Sequence, residues 1–226
     1  MLVVLLLMQL VAGCATGPKP QLMVEPGKAV ETLQSPVAIT ITAGGTSRSV
    51  RGFLIFKRPD RFHMAVLGPF GITLLEVYSE GDRLTCLIPS KDLACSGLLA
   101  ELPEGGGLKS WEIMKWVVEE GPVAVDRSAG EHDRLNAAGK REALTYDERG
   151  LLVKKVSAAG DRISYDGYRS VAGVAFPSTI EFKNLRGDGV RIAFEEPELN
   201  LPVEEAVLTP HLDGIALLPL TACNGL

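Results

Sequence analysis

From Ser35 onward, apolar residues recur at every second position, the period of a strand with one buried face. Val37, Ile39 and Ile41 alternate with Ala38, Thr40 and Thr42 before Gly44-Gly45 turns the chain. Val50, Leu54 and Phe56 then alternate with Arg51, Ile55 and Lys57. The next pair of strands sets Phe62, Met64 and Val66 against Arg61, His63 and Ala65, then Thr73, Leu75 and Val77 against Leu74, Glu76 and Tyr78. Further strands are expected over 83–88 and 93–97. After Gly105-Gly106-Gly107 they resume over 134–138, 143–146, 151–158, 162–168, 178–184 and 190–196. Short strands at near-regular spacing, with glycine, proline and aspartate between them, predict an antiparallel meander. Arg186-Gly187-Asp188 reads as the last hairpin turn. A short helix is expected over 29–34.

Within this pattern one turn stands apart. Gly68-Pro69-Phe70-Gly71 has ordinary turn chemistry except at Phe70, where Asn, Asp or Gly is usual. Proline at the second position and phenylalanine at the third predict a type I turn, because type II demands positive φ at the third. Phe70 either folds back onto the core or is presented at the tip to another molecule. The shortness of the tip pushes it toward solvent.

Leu108 to Glu120 carries the strongest helical pattern. Glu112, Lys115 and Glu119 form one narrow polar stripe, while Trp111, Ile113, Met114, Trp116, Val117 and Val118 fill the remaining surface. A helix apolar over so wide an arc must be covered on more than one side, as by a curved sheet wrapping partly round it.

The first thirteen residues read as a signal peptide: an apolar run from Met1 to Leu10, too short to span a bilayer. No Lys or Arg precedes it. Val11-Ala12-Gly13-Cys14 matches a bacterial lipobox, in which small residues admit the peptidase and the Cys14 thiol takes the lipid. Residues 14–28 hold several prolines and glycines without periodicity and read as a flexible lipidated tether. Ala15, where an aspartate would signal retention in the inner membrane, suits passage to the outer membrane. Residues 201–226 read as an irregular tail.

Composition narrows the chemistry. The net charge is −5 with no basic–aromatic patch, so no nucleic-acid partner is expected. Aromatics are 6% against 46% hydrophobic residues overall, giving a core with aliphatic walls. His63, His132 and His211 are far apart and lack partners at metal-ligand spacing. No nucleophile elbow, phosphate loop or dinucleotide fingerprint is present. No metal, no cofactor and no enzymatic activity are therefore expected, and the acidic residues read as solvated strand faces. Cys86 and Cys95 are symmetric about Ser90-Lys91, so a two-residue turn there would make them direct cross-strand partners. A disulfide between them is expected, with two buried thiols as the alternative and Cys223 left over.

Arg51-Gly52-x-Leu54-x-Phe56, Arg58-Pro59-Asp60-Arg61-Phe62, Leu67-Gly68-Pro69-Phe70-Gly71 and the tryptophan-containing helix follow one another in an order that resembles the LolB family of outer-membrane lipoproteins. The resemblance covers roughly residues 37–196. It implies an incomplete, half-open antiparallel β-barrel with some α structure over 29–200, closed by a few helices around an apolar cavity. In that family the turn reads Asn-Pro-Leu-Gly, and its protruding leucine delivers lipoproteins to the membrane. Phe70 takes that place here, with Gly68, Pro69 and Gly71 as the delivery loop. Leu54, Phe56, Met64, Val66, Trp111 and Trp116 would line the cavity. The implied partners are acylated lipoproteins, a periplasmic LolA-like carrier and outer-membrane lipid. Two other readings stand beside it: a carrier of another lipid or hydrophobic molecule, and an anchored scaffold for an envelope assembly.

Overall fold

The computed structural model describes residues 22–25, 27–102, 128–136 and 139–223. The signal peptide, Cys14, the tether up to residue 21 and the helix expected over 108–120, with Trp111 and Trp116, lie outside these residues. The N-terminal meander is β1 (Thr32–Ala43), β2 (Thr46–Lys57), β3 (Arg61–Leu67), β4 (Thr73–Glu80), β5 (Arg83–Ile88) and β6 (Leu93–Leu98). The second run is β7 (Gly130–Leu135), β8 (Arg141–Tyr146), β9 (Leu152–Ser157) and β10 (Arg162–Asp166). A small hairpin of β11 (Arg169–Val171) and β12 (Val174–Phe176) precedes β13 (Thr179–Lys183) and β14 (Gly189–Phe194). β15 (Glu198–Leu199) leads into the tail, and β16 (Ala216–Pro219) lies within it.

Fourteen of these strands form one sheet in the order β16-β6-β5-β4-β3-β2-β1-β14-β13-β10-β9-β8-β7, with β15 also paired to β1. The sheet is curved and not closed, with β7 at one edge and β16 at the other. The two meanders meet where β1 pairs β14, from Val37↔Phe194 to Thr42↔Gly189. Alternation sorts the side chains between two faces. Leu33, Val37, Ile39, Leu54, Phe56, Phe62 and Met64 join Leu144, Ile163, Ile180 and Ile192 in one buried cluster on the inner face. Gln34, Pro36, Phe53 and His63 alternate with them and belong to the outer face.

Three local expectations change. No helix forms over 29–34, because the backbone N–H groups of Glu31 and Thr32 donate to Asn200 Oδ1 (2.8 and 3.4 Å) and hold the chain extended into β1. The Gly68–Gly71 turn is not type I: Phe70 has φ +62° and ψ +18°, the left-handed conformation that type II requires at this position. The disulfide joins Cys95 to Cys223, with Cα atoms 6.2 Å apart, and leaves Cys86 as a buried thiol. Cys86 and Cys95 are direct partners as their spacing implies, across a four-residue connection from Pro89 to Asp92 instead of two residues. The tail decides the bridge.

That tail has little regular structure but a definite path. Asn200 ties its start to β1, its Nδ2 donating to Ala29 O at 3.0 Å. Glu205 pairs with Lys57 and Arg61 on the outer face, and Arg61 also reaches Leu208 O and Thr209 Oγ1. β16 then runs parallel to β6, from Ala216↔Leu93 to Pro219↔Ser96. Beyond it Leu220 and Cys223 turn onto the inner face, joining Val77, Leu84, Cys86, Cys95, Leu99 and Leu102 in a second buried cluster.

Gly52 explains a glycine in the middle of a long strand. A Cβ there would lie 2.6 Å from Ala65 O on the neighbouring β3 and against the side chains of Val37 and Ile39. Gly52→Ala should therefore destabilise the fold by roughly 1–3 kcal/mol through overpacking. Urea unfolding of the two proteins measures it, read as a lower midpoint with unchanged slope.

Candidate functional site

The β3–β4 hairpin ends in a tip whose backbone closes on itself. Gly68 N donates to Ile72 O at 2.8 Å, Gly71 N to Gly68 O at 3.3 Å and Ile72 N to Pro69 O at 3.4 Å. Pro69 sets the entry and Gly71, at φ +76°, the exit. Phe70 is held between them fully exposed, at 101% of its reference surface, with Ile72 at 62% and Leu74 at 44% beside it. Leu74 leans across Gly68, where any Cβ would collide with its side chain at 2.9 Å. The tip is thus an apolar prow of three side chains on a rigid loop.

Two unfavourable choices coincide at Phe70. Burial of such a side chain is worth roughly 1.5–3 kcal/mol, which is forgone here. A left-handed L-residue costs roughly 1–2 kcal/mol besides. Among the described residues no contact of the exposed ring offsets either term.

On the inner face Leu54, Phe56 and Met64 are almost wholly buried in the main cluster, and Val66 packs against it. Trp111 and Trp116, expected opposite them, lie outside the described residues. Toward β7 this face becomes polar. Arg134 Nε and a terminal nitrogen donate to Glu142 Oε2 at 3.1 and 2.9 Å, and Glu142 is only 2% exposed. Lys155 is wholly buried, its Nζ 5.8 Å from the centre of the Tyr165 ring. Burial, then the Glu142 charge, pushes the Tyr165 hydroxyl far above its usual pKa. Glu142 is no solvated strand-face carboxylate; it is a core group, and the strand pattern alone did not disclose it.

The outer face holds a second titratable group that the spacing of the histidines did not reveal. His63 stacks on Tyr78, ring centroids 4.1 Å apart and planes 5° from parallel. Its Nε2 lies 3.4 Å from Glu76 Oε2, which also accepts the Tyr78 hydroxyl. Burial lowers the His63 pKa despite the opposing pull of Glu76 and Val207 O. The hairpin register carried the signal, since it places His63 directly opposite Tyr78. Across the same face, toward β11, a groove of about 520 Å³ is lined by residues including Gln34, Pro36, Phe53, Arg169 and Glu196. Among the described residues no cluster of His, Cys, Asp and Glu could hold a metal ion, and no helix is long and apolar enough to cross a membrane.

Solved structures resemble this arrangement. A DUF1329 family protein from Desulfovibrio piger matches with a TM-score of 0.56 at 12% identity, covering 80% of this chain and 90% of its own. A LolA superfamily protein from Nitrosomonas europaea matches at 0.54 and 13% identity, covering 83% and 93%. A domain from Vibrio parahaemolyticus described as an outer-membrane lipoprotein-sorting protein matches at 0.54 and 8%, covering 79% and 89%. The likeness is one of fold. No family model and no curated protein matches the chain.

Two predictions follow from the site itself. Phe70→Gly removes the left-handed strain and should raise stability by about 1 kcal/mol, measured by urea unfolding. Acidification should loosen the tail. Lys57, then Arg61, holds the Glu205 carboxyl below its ordinary pKa, and burial holds His63 below its own. A group with a depressed folded pKa contributes stability above its unfolded value and loses it as pH falls. Docking should weaken first as pH drops below the ordinary histidine value of about 6.5, then again below about 4.3 for Glu205. Limited proteolysis within 201–215 as a function of pH reads both steps.

Proposed function

We propose that the chain is a LolB-like receptor, lipid-anchored at Cys14 in the outer membrane and facing the periplasm. It takes acylated lipoproteins from a LolA-like carrier and inserts them into that membrane. The observation that carries this reading is Phe70, fully exposed and in a left-handed backbone at the hairpin tip. An apolar side chain held outward at a cost to the fold suits contact with lipid acyl chains. The open-sheet fold shared with a LolA superfamily protein and a lipoprotein-sorting domain supports it. So does the Cys95–Cys223 disulfide, which fits an oxidising compartment.

In this reading the packed aliphatic inner face opens to admit acyl chains, where each buried methylene contributes about 0.8 kcal/mol. No bond is made or broken: the protein needs only to shield the chains and release them at the membrane. A second reading, carriage of a different lipid or amphipathic molecule, draws on the polar inner patch of Arg134, Glu142, Lys155 and Tyr165. The proteins and lipids that co-purify with the untethered domain distinguish the two.

Phe70→Glu should leave folding and cargo binding nearly intact while lowering transfer of an acylated lipoprotein to vesicles by about ten- to a hundredfold. That range is the value of the lost apolar contact expressed as a rate ratio. Phe70→Leu should retain transfer. A sharp fall in melting temperature for Phe70→Glu would show instead that the side chain belongs to the core.

A further inference from the structure

Cys86, Cys95 and Cys223 share one buried cluster on β5, β6 and the tail, near the β16 edge of the sheet. Cys86 and Cys95 face each other directly across β5 and β6. Opposed residues in antiparallel strands have Cα atoms about 4.5–5.5 Å apart, inside the roughly 4.4–6.8 Å that a disulfide spans. Cys223 is bridged to Cys95 across 6.2 Å, although 128 residues separate them in sequence. Cys95 therefore has two partners within bonding reach, and only one holds it.

What the bridge holds is the end of the tail. β16 is four residues long, pairs on one side only among the described residues and has all four side chains exposed. Among the described residues this end is fixed by the short ladder to β6, by Ala216 N donating to Asp92 O at 2.9 Å, by the disulfide and by the burial of Leu220. The same tail reaches back across the outer face to Glu205, which holds Lys57 and Arg61 at the base of the Phe70 hairpin.

We propose that Cys86 is the exchange partner of the tail lock, displacing Cys223 from Cys95 so that β5 and β6 become stapled and the tail end is freed. The Cys86 thiolate attacks Cys95 Sγ, the Cys95–Cys223 bond breaks, and Cys223 leaves as a thiolate that takes up the proton Cys86 gave up. One disulfide and one thiol stand on each side, so no oxidant or reductant is consumed. Burial pushes the Cys86 thiol up to about 12, which keeps it unreactive while the cluster is closed. Exchange therefore waits until β16 parts from β6 and admits water to the cluster, with Cys223 still bonded to Cys95. The exchange makes a passing excursion of the tail into a lasting release. Its consequence is control over how firmly the sheet beneath the hairpin is strapped, whichever cargo the protein handles.

The test maps disulfides in the full chain held in a glutathione redox buffer at pH 8. Samples are quenched by alkylation, digested without reduction and quantified by mass spectrometry, with proteolysis within 201–215 followed in parallel. The wild type should contain a minor Cys86–Cys95 species that rises together with tail cleavage. Cys86→Ala should abolish that species and leave only the tail-bound form and glutathione adducts. Cys223→Ala should collect in the Cys86–Cys95 form. A wild type that shows Cys95 joined only to Cys223 or to glutathione, at every ratio of the buffer, overturns the proposal. The wild-type map decides the matter even where Cys223→Ala does not fold.

Discussion

Six cross-strand pairs between β1 and β14, from Val37↔Phe194 to Thr42↔Gly189, join what would otherwise be two independent meanders. Every other long-range feature inherits its position from them. β2 to β6 are laid down on one side of β1, β13 to β7 on the far side of β14, and the inner cluster draws from both. Bringing partners so distant in sequence together costs loop entropy that local hairpins do not incur. The apolar pairs Ile39↔Ile192 and Val37↔Phe194 offset it on the inner face. Asn200 adds a polar clamp at the end of the same strand, where β15 takes over from β14 as the partner of β1.

The strands were legible because one buried face leaves a period-2 trace, and β1 to β6 fall where Val37, Leu54, Met64, Val77, Cys86 and Cys95 place them. The cross-strand partnership of Cys86 and Cys95 was legible for the same reason, since hairpin register follows from local symmetry. Their bonding was not, because Cys223 arrives on a tail whose route is set by Glu205, Leu208 and a parallel strand, none of which has a periodic signature. The turn at Phe70 misled for a related reason. Propensity disfavours a left-handed phenylalanine, but the antiparallel pairing from Leu67↔Thr73 to Arg61↔Glu80 fixes the geometry that the tip must close. Glu142 read, with the other acidic residues, as part of a solvated strand face, and burial on the inner face depends on what covers that face rather than on the strand itself.

The candidate site and the tail occupy opposite sides of one mechanical question. The hairpin gives up stability to hold Phe70 outward, and the tail adds contacts along the outer surface of the same strands, at Arg61 and beside His63. Under the proposed role, a prow that meets a bilayer needs a stiff mount, because a loose one would fold its apolar end back onto the protein. The stacked His63–Tyr78 pair, covered by the tail near Val207, forms part of that mount.

An open sheet has two rims, and each rim presents unpaired backbone groups that invite another chain to add on. Here one rim is finished by β16, which ends in Pro219 and so offers a short and interrupted template. The other, β7, carries Glu131, Asp133 and Arg134 along six residues. A tail bolted over β6 therefore also guards the molecule against end-to-end polymerisation with its own kind. Losing that cover would bare the longer, more apolar margin of β6, and a protein that already shows one greasy fingertip can ill tolerate a second adhesive border.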